Sequence, residues 1–423
     1  MTLPCVNITP FWDWNAPRHS AGRAAPSKRW RCTGSWPDLP GHSMRALHFA
    51  KYAFERPGGM ERHVEVLTRG LAAAGVDVSV TVYDPSGLAA PRVVDGVHVE
   101  PVRPLMHLGS QAIAPGMLAR ASALARARRF DVVHQHWPDP FAHVMASLVP
   151  GRPAHVASWH SDIVRQRVLG PLYLGLAPHL LRRPDAVVGA TAAHLTSRQI
   201  DGFAPPERRH VIPYGIDTRP LEPTPEVLRQ AEALRARHGH RPLVFALGRH
   251  VYYKGFDVLI EAMAQVPAVL VLGGEGPLTA ELRVLAARSG AKVEFAGAIP
   301  EAELPAYFHA CDVYCLASVA QAEAFGIVQA EAMACGKPVV NTRLGNGVNE
   351  LAAHDVCALT VEPGDAGALA GALNRVLGDP LLARRLGEAG RHRVQRDFSV
   401  EAMVRKTLDL YAALTQPRAA VPG

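Results

Sequence analysis

The sequence holds no apolar run approaching the ~20 residues that a helix needs to cross a bilayer. Its best candidate, residues 168–181, is broken by two prolines and a histidine. The first residues do not read as a secretory leader, because charges, tryptophans and prolines stand where an apolar h-region belongs. Cysteine is scarce, six in 423 residues. Cys311 and Cys315 lie in an apolar segment with no Cys or His pair following at zinc-site spacing. Buried free thiols in a reducing compartment are therefore expected, and no metal. No dense Lys/Arg run interleaves with aromatics, which argues against a nucleic-acid partner. Together these absences predict a cytoplasmic protein, with peripheral contact at the inner face of the cell membrane left open.

What is present fits two domains and an extension. A length of 423 residues exceeds one ordinary domain. Apolar residues at 48% and charged residues at 20% supply large cores and exclude global disorder. Residues 1–43 show no helical or strand period, yet hold Trp12, Trp14, Trp30 and Trp36. They read as a poorly ordered N-terminal arm, and order begins at Met44. Basic residues exceed acidic ones over residues 44–215, and the balance reverses over residues 216–423. The first half would then face an anionic surface or substrate, unless an arginine-rich coding bias accounts for the excess.

From Met44 onward, short apolar strands alternate with amphipathic helices. Strands are expected at 45–50, 76–83, 97–101, 154–160, 186–190 and 210–213, with another opening at Asp131. A Pro-rich stretch after Tyr214-Gly215-Ile216-Asp217 marks the domain boundary. The pattern then restarts with strands at 243–247, 268–272, 293–296, 313–317 and 338–341. Strands that read as continuous Val/Leu/Ala runs belong to parallel sheets covered on both faces. The fold class is thus α/β, two doubly wound Rossmann-like domains. An N-terminal domain spans 44–215 and a C-terminal domain 216–399. Residues 400–423 form a last helix and tail. Ligands of such sheets bind at the carboxyl ends of strands.

Four segments at strand ends could carry chemistry. Gly58-Gly59-Met60-Glu61 precedes a helix, where glycine lets the backbone approach a phosphate, although it reads equally as a plain turn. It is not G-x-G-x-x-G, and no acidic ribose partner follows strand two, which disfavours a nicotinamide cofactor. His160 ends a buried strand, as a ligand contact or a structural histidine. His134 and His136, in His-Gln-His after another strand, share that ambiguity. Arg249 and Lys254 flank the first turn of the second domain and could together neutralise a diphosphate. Glu323 precedes Phe325-Gly326-Ile327 at a helix start, and Glu331 lies over a turn further in. A glutamate in so apolar a helix needs a partner, and paired sugar hydroxyls would be one.

In this order and context, these segments resemble the retaining nucleotide-sugar glycosyltransferases of family 4, which have the GT-B fold of two such domains facing a cleft. The most specific block is Glu-Ala-Phe-Gly within Glu-x7-Glu, followed by Gly-Lys-Pro-Val-Val. The resemblance covers about residues 44–414. It implies that Glu323 holds donor-sugar hydroxyls, Glu331 the ribose, and Arg249 and Lys254 the diphosphate. Phe325, Gly326 and Ile327 would offer backbone amides. Gly58 and Gly59 would lie against phosphate or acceptor in the cleft, and His160 near the reacting carbon. No metal and no cofactor are implied, the nucleoside diphosphate sugar being a substrate. Residues 159–166 look like a mannosyl- and rhamnosyltransferase subgroup that builds bacterial polysaccharide and lipopolysaccharide. The resemblance then implies hexose transfer, with mannose from GDP-mannose as first guess, to a polysaccharide or lipid-diphosphate acceptor. The last helix would cross back toward the first domain. Left open are a non-catalytic sugar-nucleotide-binding protein and another GT-B enzyme such as an epimerase.

Overall fold

The computed structural model describes residues 44–52, 59–87, 89–108, 111–127, 129–160 and 169–416. The tryptophan-rich arm and Gly58 lie outside them. Among the described residues the first half holds, in chain order, β1 (Arg45–Tyr52), β2 (Asp77–Tyr83), β3 (Arg92–Val94), β4 (Val97–Val102), β5 (Met106–Leu108), β6 (Gln111–Ile113), β7 (Val132–Trp137), β8 (Ala154–Trp159), β9 (Ala186–Gly189) and β10 (Arg209–Val211). The second half holds β11 (Leu243–Leu247), β12 (Val269–Gly273), β13 (Val293–Gly297), β14 (Val313–Leu316), β15 (Val339–Thr342) and β16 (Ala358–Val361).

The first sheet has the order β10-β9-β8-β7-β1-β2-β4-β3, parallel except for the antiparallel edge strand β3. The second runs β13-β12-β11-β14-β15-β16 and is parallel throughout. In each, the strand order reverses beside the first strand, between β1 and β7 and between β11 and β14. Diverging connections leave a crevice at such a point. Helices cover both faces, so central strands such as β2 and β12 are almost wholly buried.

Alternation of side chains across each strand decides what faces each helical layer. Ala46 and Ala50 of β1, Val132 of β7 and Val156 of β8 share one face and pack with Val64, Leu67 and Tyr411 from the covering helices. Leu47, Phe49 and Val133 point the other way, toward Met117 and Met145.

Helix Val400–Thr415 returns to the first sheet and lies against helix Gly59–Ala73 through Met403, Val404, Leu408 and Tyr411. The chain therefore crosses between the domains twice. Outgoing Ile216 donates its amide to Phe398 O at 2.8 Å on the returning segment. No helix among the described residues is long and apolar enough to cross a membrane.

Several elements differ from expectation. Helix Pro225–Arg237 fills part of the stretch read as a Pro-rich boundary, capped by Thr224, whose hydroxyl accepts from Val227 N. Strands β3, β5, β6 and β16 were not expected. His134 and His136 lie inside β7, fully covered, rather than after a strand.

Candidate active site

The loops after β11 and β14 meet at the second sheet's crevice. A one-turn helix, Tyr252–Lys254, follows Gly248-Arg249 and ends at Gly255 with φ +62°. A β-carbon on Gly255 would stand 2.1 Å from Ala317 O, so only glycine lets this turn sit against the end of β14. The turn delivers Lys254 Nζ to Glu323 Oε2 at 2.5 Å. Ser318 Oγ donates to the same oxygen at 3.1 Å. Both charged side chains are only 11% exposed. Asn346 donates to the backbone oxygen of Glu323 at 2.8 Å, which fixes the loop. Arg249, in the loop after β11, is exposed.

Gly326, at φ +71°, turns the chain into helix Ile327–Ala334. Phe325 is buried and packs edge-on against Tyr214 of the first domain, 4.8 Å between centroids. Glu331 lines a small cavity between the domains with Arg62, His63, Tyr214, Asp217 and Ile327. Burial pushes its carboxyl up to about 7, against the opposing pull of Arg62. Arg62 Nη2 lies 3.6 Å from Glu331 Oε1 and Arg62 Nη1 2.7 Å from Glu301 Oε1. The Glu-x7-Glu spacing therefore sends its two carboxylates to different partners, Lys254 within the domain and Arg62 across the cleft.

On the other wall, His160 follows β8 and is buried. Its Nδ1 lies 2.6 Å from Tyr214 Oη and its Nε2 3.1 Å from His136 Nδ1. Burial holds it neutral, with its basicity well below the ordinary imidazole range. His160, His63 and Tyr214 border a second small cavity, so His63 and Tyr214 form the partition between the two. His63 Nδ1 is buried without a hydrogen-bond partner among the described residues. Gly59 opens helix Gly59–Ala73, which carries Arg62 and His63 into the cleft.

The structure thus brings Lys254 and Glu323 together at one crevice, and places Glu331 and His160 on walls that share His63 and Tyr214. Sequence reasoning missed Arg62, His63 and the hydroxyl of Tyr214. Helical phase could have found the first two, since they lie one turn after Gly58-Gly59 and must leave that helix on the same side as its start.

Comparison with known proteins decides the family. A model described as Glycosyltransferase Family 4 matches residues 57–219, and one described as Glycosyl transferases group 1 matches residues 230–393. The chain belongs to glycosyltransferase family 4. It is 31% identical to the D-rhamnosyltransferase WbpZ of Pseudomonas aeruginosa, over 84% of this chain and 92% of that protein. It is 26% identical to O-antigen chain mannosyltransferase C of Escherichia coli, over 89% of this chain and 100% of that protein. Among solved structures, HepE of Anabaena in complex with UDP superposes with a TM-score of 0.71 at 22% identity, covering 88% of this chain and 100% of that one. The two Rossmann-like domains are the GT-B fold, and the chain is a glycosyltransferase by family.

Proposed function

We propose that this glycosyltransferase moves a hexose from a nucleoside diphosphate to a hydroxyl of a polysaccharide or lipid-diphosphate acceptor, retaining the anomeric configuration and using no divalent metal. The Lys254–Glu323 pair at the switch point of the second sheet carries this reading. Bond breaking leaves an oxocarbenium-like sugar and a departing diphosphate. Lys254, Arg249 and the amides of Phe325, Gly326 and Ile327 stabilise that growing negative charge. One preorganised donor of this kind is worth ~3–4 kcal/mol. Glu323 accepts from donor-sugar hydroxyls, and the diphosphate takes over Lys254 from it. Glu331 accepts from the ribose. Gly58 and Gly59 lie against phosphate or acceptor, with His160 beside the reacting carbon. The departing phosphate takes the acceptor's proton on the same face, so no protein base is assigned.

Mannose from GDP-mannose is the first choice of donor. Two relatives of similar identity are mannosyltransferases named as GDP-mannose-dependent, at 35% over 56% of this chain and 29% over 84%. Membrane contact through the basic first half accompanies a lipid-linked acceptor. A panel of GDP-, UDP-, ADP- and dTDP-sugars, scored by hydrolysis and by product anomer in excess chelator, tests the proposal. Turnover of GDP-mannose to an α-linked product is expected. An inverted product, or loss of activity restored only by added metal, overturns the mechanism. Donor binding without turnover on any acceptor would favour a non-catalytic binding protein.

A further inference from the structure

Four buried histidines and two tyrosines form a continuous hydrogen-bonded chain beside the cleft. Strand register assembles it. His48 of β1 pairs with His134 of β7, and His136 of β7 pairs with Ser158 of β8. All four point to the same sheet face, which the helices Gly59–Ala73 and Val400–Thr415 cover. From the last helix inward, Tyr411 Oη lies 2.6 Å from His134 Nδ1 and 3.3 Å from His48 Nε2. His48 Nδ1 lies 3.2 Å from His136 Nε2, and His136 Nδ1 3.1 Å from His160 Nε2. His160 Nδ1 ends the line at Tyr214 Oη, 2.6 Å away. His134 Nε2 is anchored on Ser158 Oγ at 2.7 Å. Among the described residues no carboxylate borders this line at hydrogen-bond distance, and desolvation depresses the basicity of all four rings.

A neutral imidazole carries one N–H and one lone pair. Each link then needs a donor facing an acceptor, and reversing one ring alone would set two lone pairs or two hydrogens against each other. Only two complete arrangements satisfy the line. In one, Tyr411 donates to His48, His48 to His136, His136 to His160 and His160 to Tyr214, which leaves the Tyr214 hydrogen free to donate elsewhere. In the other every link reverses, and Tyr214 donates to His160.

We propose that Tyr411, His48 and His136 are positioning residues for sugar transfer: through this line they fix the tautomer and ring plane of His160 and decide whether Tyr214 donates or accepts in the cleft. The crossing helix that carries Tyr411 is thereby wired to the site. This rests on the reading of His160 as a donor-facing residue.

The test uses the full-length protein and the variants Tyr411→Phe, His136→Phe and His136→Gln, with His160→Ala as reference. Steady-state kinetics and the imidazole nitrogen resonances of His160 are read together. Tyr411→Phe and His136→Phe should lower kcat at least tenfold, with donor KM changed less than threefold, and shift the His160 tautomer signature. His136→Gln, which keeps one donor and one acceptor, should recover much of that loss. Wild-type kcat in Tyr411→Phe and His136→Phe, or an unchanged His160 signature in folded variants, overturns the proposal. So does tight retention of zinc by the wild type that His136→Phe abolishes, because the facing nitrogens of His136 and His160 would then hold a metal rather than a proton. If His160→Ala retains activity, the donor-facing reading fails, and the His160 resonances in Tyr411→Phe still report the line.

Discussion

Arg62 and Glu331 face each other across the cleft, 3.6 Å apart, one from each domain. The Glu331 carboxyl, raised to about 7 mainly by burial, keeps its proton where an unfolded glutamate has lost it. The folded state therefore binds the extra proton between about 4.3 and 7, and stability falls as pH rises through that window. Glu331→Gln should unfold at a higher temperature than wild type at pH 8, by at most about 4 kcal/mol of stability, with the difference gone near pH 4. A pH-independent difference would mean that Glu331 titrates normally.

If Glu331 holds the ribose as proposed, the same group sets a pH dependence on the substrate side. Only the carboxylate accepts from two ribose hydroxyls, so donor KM should rise as pH falls below about 7. Arg62→Leu removes the cation that favours the ionised form and should move this rise to higher pH. In Glu331→Gln the profile should flatten. An unshifted profile in Arg62→Leu would show that the arginine does not act on Glu331 in solution.

Lys254 and Glu323 should behave as one unit. Each replaced by alanine is expected to lower kcat at least tenfold without unfolding the protein, as circular dichroism would check. Because each variant already breaks the pair, the double variant should lose much less than the product of the single losses. Near wild-type transfer by both single variants would remove the donor site from this crevice.

The sheets and their order of strands and helices were legible because parallel strands buried on both faces leave continuous apolar runs, as in Leu243–Leu247 and Val269–Gly273. Helix Pro225–Arg237 was not legible because only Ala231 and Leu234 of it are buried, too few to show a period. Strand β16 was hidden by its length of four residues. In the site, Lys254 and Glu323 could be read as one centre because glycines and a family-specific block mark both loops. Arg62, the partner of Glu331, was open to helical phase, whereas the partners of His160 were not, since His136 reaches it from another strand and Tyr214 from the interdomain segment. Register, which no local pattern reveals, decides that His48, His134 and His136 share a face.

Gly255→Ala probes how the Lys254 turn is held. Alanine at φ +62° costs ~1–2 kcal/mol, and its β-carbon would collide with Ala317 O. The turn must move, carrying Lys254 away from Glu323. Lower thermal stability and at least a tenfold fall in kcat are expected together. A fall in stability with unchanged kcat would show that Lys254 reaches its working position without this turn.

Gly215 is the matching test of the interdomain crossing. Its amide donates to Met403 Sδ at 3.1 Å, and a β-carbon there would lie 2.8 Å from the Val400 α-carbon. The returning helix thus packs directly on the outgoing backbone, one residue from Tyr214. Gly215→Ala must push that helix off, disturbing Tyr411 at its far end and Tyr214 beside it. In the proposed site the diphosphate is held from the loops after β11 and β14, whereas Gly215 and Met403 belong to the two crossing segments. Titration of the nucleoside diphosphate should therefore give affinity within about threefold of wild type, while transfer falls at least tenfold. Loss of both in equal measure would mean that the crossing supports the second domain itself rather than the alignment of the two walls.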